Sequence, residues 1–303
     1  MFSNGLFLVV VIFSLTILSC TKNSVNPLGG GPGGNPGGTQ TTFAVTLSHS
    51  ASLGDYLVDK DGYTLYSFAD DYQGVSTCTS PGCTALWPYF YAGPITQADL
   101  GNGLNIVDFG TVTINGATQS TYKGWPLYYY APVDNGGVYG TGGNVREAPG
   151  QIGGDGFNGI WFVAKPDYTV VIADGQLTGY NGINYQGSYL PGDGKTVYFT
   201  TANGMTLYTF IHDSAGINKF THADLGNNSV WPMFETTSIV VPSFLDKALF
   251  STIMVFGHSQ LTYKGWPLYE FGGDGGIMGN NKGISVPKPG IWPVPVANIP
   301  AAP

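Results

Sequence analysis

The chain has 303 residues, of which 43% are hydrophobic and only 10% are charged, and its formal net charge is −8. This apolar content is enough to bury a sizeable core. The 46 Gly and 20 Pro favour turns and short strands over long exposed helices, which need many charged residues. Because no run of Lys or Arg follows the pattern of a phosphate backbone, the acidic composition argues against nucleic-acid binding.

The N-terminus has the pattern of an exported lipoprotein. Residues 6 to 18 are apolar except for Ser14 and Thr16, a run too short to span a bilayer but typical of a signal-peptide core. The Ile-Leu-Ser sequence before Cys20 resembles the bacterial lipobox, in which the cysteine is lipidated and becomes the first mature residue. We therefore predict a signal peptide over residues 1 to 19 and a lipidated Cys20. The alternative is a signal peptide cut elsewhere, which leaves Cys20 as a lone thiol.

The segment after Cys20 predicts a tether. Residues 21 to 42 are dominated by Gly, Pro, Asn and Thr and show no apolar periodicity, so we expect residues 20 to 42 to be a disordered linker. A Gly-rich linker of this length has a root-mean-square reach of roughly 25 Å. The predicted location is the bacterial cell envelope, lipid-anchored, and at the outer membrane because Thr21 is not Asp. The lipid is the only membrane contact that we expect.

An identical octapeptide shows that the chain contains a duplication. TYKGWPLY occurs at residues 121 to 128 and again at 262 to 269, a period of 141 residues (262 − 121). We predict a first half over residues 43 to 175 and a second half over residues 176 to 303. Each half also has a hairpin pattern, with a DKDG turn at residues 59 to 62 and an Asn-Gly turn at residues 203 and 204.

A finer repeat occurs twice within each half. Each copy has Leu-Tyr, one further residue and an aromatic residue, and a Trp follows it later in the chain. The four Tyr and their Trp partners are Tyr66 with Trp87, Tyr128 with Trp161, Tyr208 with Trp231, and Tyr269 with Trp292. Units of this kind hide one another's apolar faces in propellers and duplicated sandwiches. The sequence therefore predicts an all-β fold of four quasi-repeats of short antiparallel strands, propeller-like or sandwich-like.

The repeated motif resembles that of a known family. A Y-x-F-x-x-D pattern occurs in both halves, and Trp-Pro follows it. Its residues are Tyr66, Phe68 and Asp71, then Tyr208, Phe210 and Asp213. Together with TYKGWPLYYY and GIWFVA, this pattern resembles the predicted bacterial lipoproteins with a Y-x-(F/W/Y)-x-x-D motif, the secreted repeat of unknown function. The resemblance covers residues 50 to 165 strongly and 196 to 297 less strongly. It implies a secreted or lipid-anchored repeat protein and no established activity.

Two cysteines lie close together in the first half. Cys78 and Cys83 enclose a Pro-Gly turn in CTSPGC, and in an exported protein a disulfide is the expected state. A redox-active or metal-binding pair is the alternative. The second half has no such pair, so a role that needs these cysteines is not shared by both halves.

Several Asp and His residues are candidates for metal binding. Asp59 and Asp61 in DKDG, with Asp70 and Asp71, offer oxygen ligands for Ca²⁺, although turn chemistry explains DKDG without an ion. His212 beside Asp213, and His222 near Asp224, offer a transition-metal set, with ordinary surface histidines as the alternative. For the Asp that closes each motif, the competing interpretation is a cap on the following loop. No cofactor is required by the sequence, and Ca²⁺ or a transition metal stays an alternative.

The aromatic residues have two interpretations. Trp125 and Trp266, which occupy the same place in the two octapeptides, are predicted to fill core positions. In TYKGWPLYYY, alternation along a strand predicts that Tyr129 faces outward. Exposed Tyr and Trp rings could stack on sugars or on a protein partner.

Motifs of enzymes are missing from the sequence. No GxSxG, HExxH or Gly-rich phosphate loop occurs in the required context. We therefore expect a non-catalytic binding or scaffolding module with a protein or glycan partner. The alternatives are a metal-binding or redox-linked envelope protein and a glycan-binding module.

Overall fold

The computed structural model describes residues 43–132 and 143–303, so the predicted signal peptide, Cys20 and the tether lie outside the described residues. The described residues belong to one compact unit. The strands are β1 (Val45–Ser50), β2 (Gly54–Asp59), β3 (Tyr66–Phe68), β4 (Phe109–Ile114), β5 (Ala117–Tyr122), β6 (Trp125–Pro126), β7 (Trp161–Val163), β8 (Val170–Thr178), β9 (Asn184–Tyr185), β10 (Lys195–Thr201), β11 (Phe250–Val255), β12 (His258–Tyr263) and β13 (Trp266–Pro267).

Helical structure is limited to short segments in the described part of the chain. The α-helix is α1 (Pro81–Leu86), and the 3₁₀ turns are Ala69–Asp71, Gln97–Asp99, Ile106–Asp108, Phe157–Gly159, Lys247–Leu249, Gly272–Asp274 and Lys282–Ser285. The strands form small antiparallel sheets in the orders β1-β2, β3-β7, β4-β5-β6, β10-β8-β9 and β11-β12-β13. The predicted all-β class is therefore confirmed.

The two halves use the same elements in the same order. The β1–β2 hairpin corresponds to the β8–β10 pair, since Val45 pairs with Asp59 and Val170 pairs with Thr201. The β4-β5-β6 sheet corresponds to β11-β12-β13. The strand β8 runs from Val170 to Thr178, so the division after residue 175 falls inside it.

The two octapeptides have the same backbone shape. Lys123 and Gly124 have φ values of 50° and 87°, and Lys264 and Gly265 have φ values of 48° and 84°. Two successive residues at positive φ make the tight turn of the type I′ class, which joins β5 to β6 and β12 to β13. The tandem duplication read from the sequence is therefore present in the backbone.

The predicted hairpin turns also form. In the first half, the N–H of Gly62 donates to the carbonyl of Asp59 at 3.0 Å. In the second half, the N–H of Gly204 donates to the carbonyl of Thr201 at 2.9 Å. Both glycines have positive φ, which a residue with a Cβ adopts only with strain.

A stack of four aromatic rings lies at the centre of each half. Trp87 and Trp161 are parallel with ring centroids 3.7 Å apart, and Trp231 and Trp292 are parallel at 3.8 Å. Each Trp pair lies between two further rings, which are Phe68 and Tyr130 in the first half and Phe210 and Phe271 in the second. Because each stack takes rings from both finer repeats of its half, neither repeat buries its aromatic face alone.

The two halves differ in the strand that carries the second Trp. In the first half, Trp161 begins β7, which pairs with β3. In the second half, Pro293 and Pro295 follow Trp292 and lack the N–H that a ladder needs. The corresponding contacts persist as single bonds, such as that from the N–H of Thr209 to the carbonyl of Pro293 at 2.8 Å.

The halves share one hydrophobic core. The largest cluster of buried apolar residues contains Ala69, Trp125 and Phe162 of the first half together with most of the second half's core. Gly175 of β8 lies against the ring of Tyr72, and a Cβ at this position would lie 2.5 Å from the ring. A glycine is therefore required where β8 approaches the first half.

Candidate functional site

The motif tyrosines of each half pair with each other through the backbone. Tyr208 and Tyr269 exchange two hydrogen bonds, with N···O distances of 2.8 and 2.9 Å, and Tyr66 and Tyr128 exchange two of 2.9 Å. All four tyrosine side chains are fully buried. The two finer repeats of a half therefore meet at this tyrosine pair.

The phenol groups of the second half bind the motif carboxylates of the opposite repeat. Tyr269 donates to Asp213 Oδ2 at 2.8 Å, and Tyr208 donates to Asp274 Oδ2 at 2.7 Å. The arrangement is reciprocal because Asp213 follows Tyr208 and Asp274 follows Tyr269 by the same five residues. These two bonds tie the repeats together in the core.

The first half keeps this arrangement with one change of residue. Tyr128 donates to Asp71 Oδ2 at 2.5 Å, but Tyr66 donates to Glu147 Oε1. Glu147 lies 19 residues after Tyr128 (147 − 128), so the motif spacing did not identify it. The signal for Asp274 was present in the sequence, because YEFGGD at residues 269 to 274 is itself a Y-x-F-x-x-D motif.

The motif carboxylates also cap the loops that follow them. Asp71 Oδ1 accepts from the N–H and the hydroxyl of Thr77, at 2.7 and 2.8 Å. Asp213 Oδ1 accepts from the N–H of Lys219 at 2.7 Å. The predicted role of these residues as loop caps is therefore confirmed, and their buried oxygens face protein donors.

Burial changes the protonation of these carboxyl groups. It raises the pKa of Asp71 to about 7 and that of Asp274 to about 7, and it raises the pKa of Asp213 to about 6. Hydrogen bonds from the tyrosines and from backbone N–H groups oppose this increase without cancelling it. The pKa of Glu147 is raised as well, first by burial.

These pKa shifts predict that the protein is more stable in mild acid. Since the folded chain takes up protons below pH 7 and the unfolded chain only near pH 4, lowering the pH from 7 to 4 raises the free energy of unfolding. We expect a gain of at least about 1 kcal/mol between pH 7.5 and pH 5. Urea unfolding across this range measures the gain.

Substitution of one carboxyl group provides the control. Asp274→Asn is expected to flatten the pH dependence, while Asp224→Asn, at an exposed position, leaves it unchanged. Stability that falls steadily from pH 7.5 to pH 5 in the parent chain would contradict the predicted sign.

The DKDG carboxylates form a turn. Asp59 Oδ1 accepts from the N–H groups of Asp61 and Tyr63, both at 2.9 Å. Its Oδ2 accepts from the phenol of Tyr129 at 2.8 Å. Tyr129 is buried, and the guanidinium of Arg146 lies 3.7 Å from the centre of its ring, so the prediction that Tyr129 faces outward was wrong. The reason is that its strand is covered on both faces.

The histidine candidates lie at the surface. His212 packs edge-on against Phe210, and His222 is exposed and donates its backbone N–H to Asn227. In residues 43–132 and 143–303, no three His, Cys, Asp or Glu side chains come together in a way that could hold a metal ion. The candidates Asp59, Asp61, His212 and His222 therefore do not form one site.

The cysteines of CTSPGC form the predicted disulfide. Cys78 and Cys83 are bonded, with their Cα atoms 5.5 Å apart. The bridge joins α1 to the preceding loop, where Tyr89 donates its phenol to the carbonyl of Cys78 at 2.7 Å. It therefore holds the segment that leads into Trp87.

One face of the repeat is buried in the first half. This face, which we call the covered face, consists of Ala69, Trp125 and Phe162, whose side chains are at most 3% exposed. The second half covers it, and the indole N–H of Trp125 donates to the carbonyl of Ala202 at 3.1 Å.

The corresponding face of the second half is open. Ile211, Trp266 and Pro293 occupy the positions of Ala69, Trp125 and Phe162, and we call them the open face. Ile211 is 38% exposed and Trp266 is half-buried, so the prediction that Trp266 fills a core position was wrong. A groove of about 330 Å³ lies over these residues, with Tyr189 and Ile299 on its walls.

The C-terminal residues cover one edge of the open face. We call residues 297 to 303 the strap. The indole N–H of Trp266 donates to the carbonyl of Pro300 at 2.8 Å, and Lys264 Nζ donates to the carbonyl of Ala297 at 2.8 Å. The strap thus supplies the acceptor that Ala202 supplies to Trp125 in the first half.

Comparisons with protein-family models, with curated proteins and with solved structures found no match to this chain. Among the described residues, no helix has the length and apolar character needed to cross a membrane.

Proposed function

We propose that the protein is a lipid-anchored, non-catalytic binding module of the bacterial cell envelope and that the open face is its binding surface. The observation that carries this proposal is the difference between two equivalent faces. The face with Trp125 is covered by a packed domain half, whereas the face with Trp266 is left in solvent with an apolar groove. An apolar groove with a polar rim is the usual form of an interaction site.

Site-specific photo-crosslinking tests the binding surface. A photoreactive amino acid at position 211 is expected to give discrete covalent products in intact envelopes. The same amino acid at position 107 is the control, since Val107 is 80% exposed and lies outside the open face. Products of equal size and yield at both positions, or none at position 211, would contradict the proposal.

Lipid anchoring is tested separately from binding. We expect the parent chain to incorporate a labelled fatty acid and to fractionate with membranes. Cys20→Ser is expected to abolish the label and to release the chain from the membrane fraction. The proposed anchor is contradicted if the variant keeps both the label and the membrane association.

A glycan is the second candidate for the occupant of the open face. It is favoured by the ring of Trp266, which lies in the groove with Tyr189 nearby, because aromatic rings stack on sugars. A glycan array in which Trp266→Ala removes the signals of the parent chain would support this candidate. An array without signals would leave a protein partner.

A further inference from the structure

The internal contact between the halves shows what kind of surface covers this face of the repeat. In the first half, the outer side of β8 lies on the covered face. Val171 lies beside Trp125 and Phe162, and Gly175 lies against Tyr72. Because side chains alternate along a strand, Ala173 is on the same side as Val171 and Gly175. A β-hairpin with small apolar residues at alternate positions is therefore the natural cover.

The strap leaves most of the corresponding position on the second half uncovered. It takes the place of the Ala202 turn, because Pro300 accepts from Trp266 as Ala202 accepts from Trp125. It does not take the place of β8, since Ile211 is exposed while its counterpart Ala69 is fully buried. The uncovered part of the open face is thus the part that receives a strand in the first half.

A second copy of the chain does not offer a matching strand. The counterpart of β8 is β1, and the strand registers place Thr46, Ser48 and Ser50 at the positions of Val171, Ala173 and Gly175. The turn that follows carries the exposed Lys60 at the position of Ala202. Burial of these polar groups on an apolar face is unfavourable. The chain therefore has an apolar end and a polar end, which do not pair with each other.

We propose that the open face binds an antiparallel β-hairpin of a different protein, one whose outer strand carries small apolar residues at alternate positions as β8 does. This inference rests on the proposed function and specifies the partner's chemistry. The hairpin lies across Ile211 and Pro293 beside the strap, in the orientation that β8 and β10 adopt on the first half. No covalent step is involved, and the interaction is apolar packing with few charges.

Two cyclic hairpin peptides test this proposal with the full chain. The first carries residues 170 to 176 and 195 to 201, paired as in the structure, and the second carries residues 45 to 50 and 54 to 59. We expect the first peptide to bind saturably and the second to bind at least tenfold more weakly. Isothermal titration calorimetry with each peptide gives the two dissociation constants.

Surface variants locate the binding. Ile211→Asp is expected to weaken binding of the first peptide at least tenfold, and the milder Ile211→Ser reproduces the direction of the effect. Val107→Asp, the same change at an exposed position of the first half, is expected to leave binding unchanged. Thermal unfolding of each variant checks that the fold is intact.

The possible outcomes separate this inference from the proposed function. The inference is overturned if the first peptide does not bind at about 1 mM, the range of very weak complexes, or if Ile211→Asp has no effect. Equal binding of the two peptides overturns the choice of partner in favour of a second copy. If the peptides fail while crosslinks at position 211 persist, the open face binds another ligand and the proposed function stands.

Discussion

Replacing Trp161 by Ala is expected to lower the free energy of unfolding by about 3 to 5 kcal/mol, the usual cost of removing a buried Trp. Trp161 is 3% exposed and lies in the ring stack between Trp87 and Phe68, with centroid distances of 3.7 and 4.0 Å. Its removal leaves a cavity that rigid neighbouring rings cannot fill. Since domains are stable by only about 5 to 15 kcal/mol, this one change removes a large part of the total.

Urea unfolding measures this loss, and circular dichroism gives a second readout. The two stacked Trp rings are close enough to couple electronically, so the signal of the coupled pair is expected to decrease in Trp161→Ala. Tyr91→Ala is the control, because Tyr91 is exposed and its loss leaves no cavity. A destabilisation below about 1 kcal/mol, the range of ordinary surface changes, would show that the stack does not support the fold.

The second large effect is a difference between two identical sequences. Trp125→Ala is expected to cost about 3 to 5 kcal/mol, because the ring is buried between the halves. Trp266→Ala is expected to cost about 1 to 2 kcal/mol, because half of the ring is already in solvent and the main loss is its bond to Pro300. The two residues share their octapeptide and their turn, so the difference reports only their surroundings.

Parallel urea titrations of the two variants measure this difference. If both cost the same 3 to 5 kcal/mol, the open face is covered in solution and the assignment of a binding surface to it fails. Trp266→Phe serves as a control for the ring itself, since it keeps apolar contact while removing the N–H donor. We expect Trp266→Phe to lie between the parent chain and Trp266→Ala.

Local features of the fold could be predicted because they depend on neighbouring residues. The Asp-Gly and Asn-Gly turns form where φ must be positive, and the short loop of CTSPGC brings Cys78 and Cys83 within bonding distance. The repeated octapeptide predicted repeated structure because the same residues with the same spacing bury the same faces. The loop-capping role of Asp71 and Asp213 followed from the chemistry of Asp beside free backbone N–H groups.

Features that join distant segments could not be predicted in this way. Glu147 accepts from Tyr66 in place of an Asp, although its position along the chain does not fit the motif. Tyr129 is buried because Asp59 and Arg146, from two other segments, meet it. Alternation along a strand does not indicate whether the second face of that strand is covered.

The amino-acid sequence by itself determined that this chain is a duplicated β protein, with its turns, its disulfide and its motif residues, because these depend on local geometry and on repeated spacing. Only the tertiary structure decided what each copy contacts. The two Trp of the octapeptides have identical neighbours along the chain, yet one is buried by the following half and the other has no half after it. Burial depends on what packs from outside the segment, and that is the physical reason for the difference.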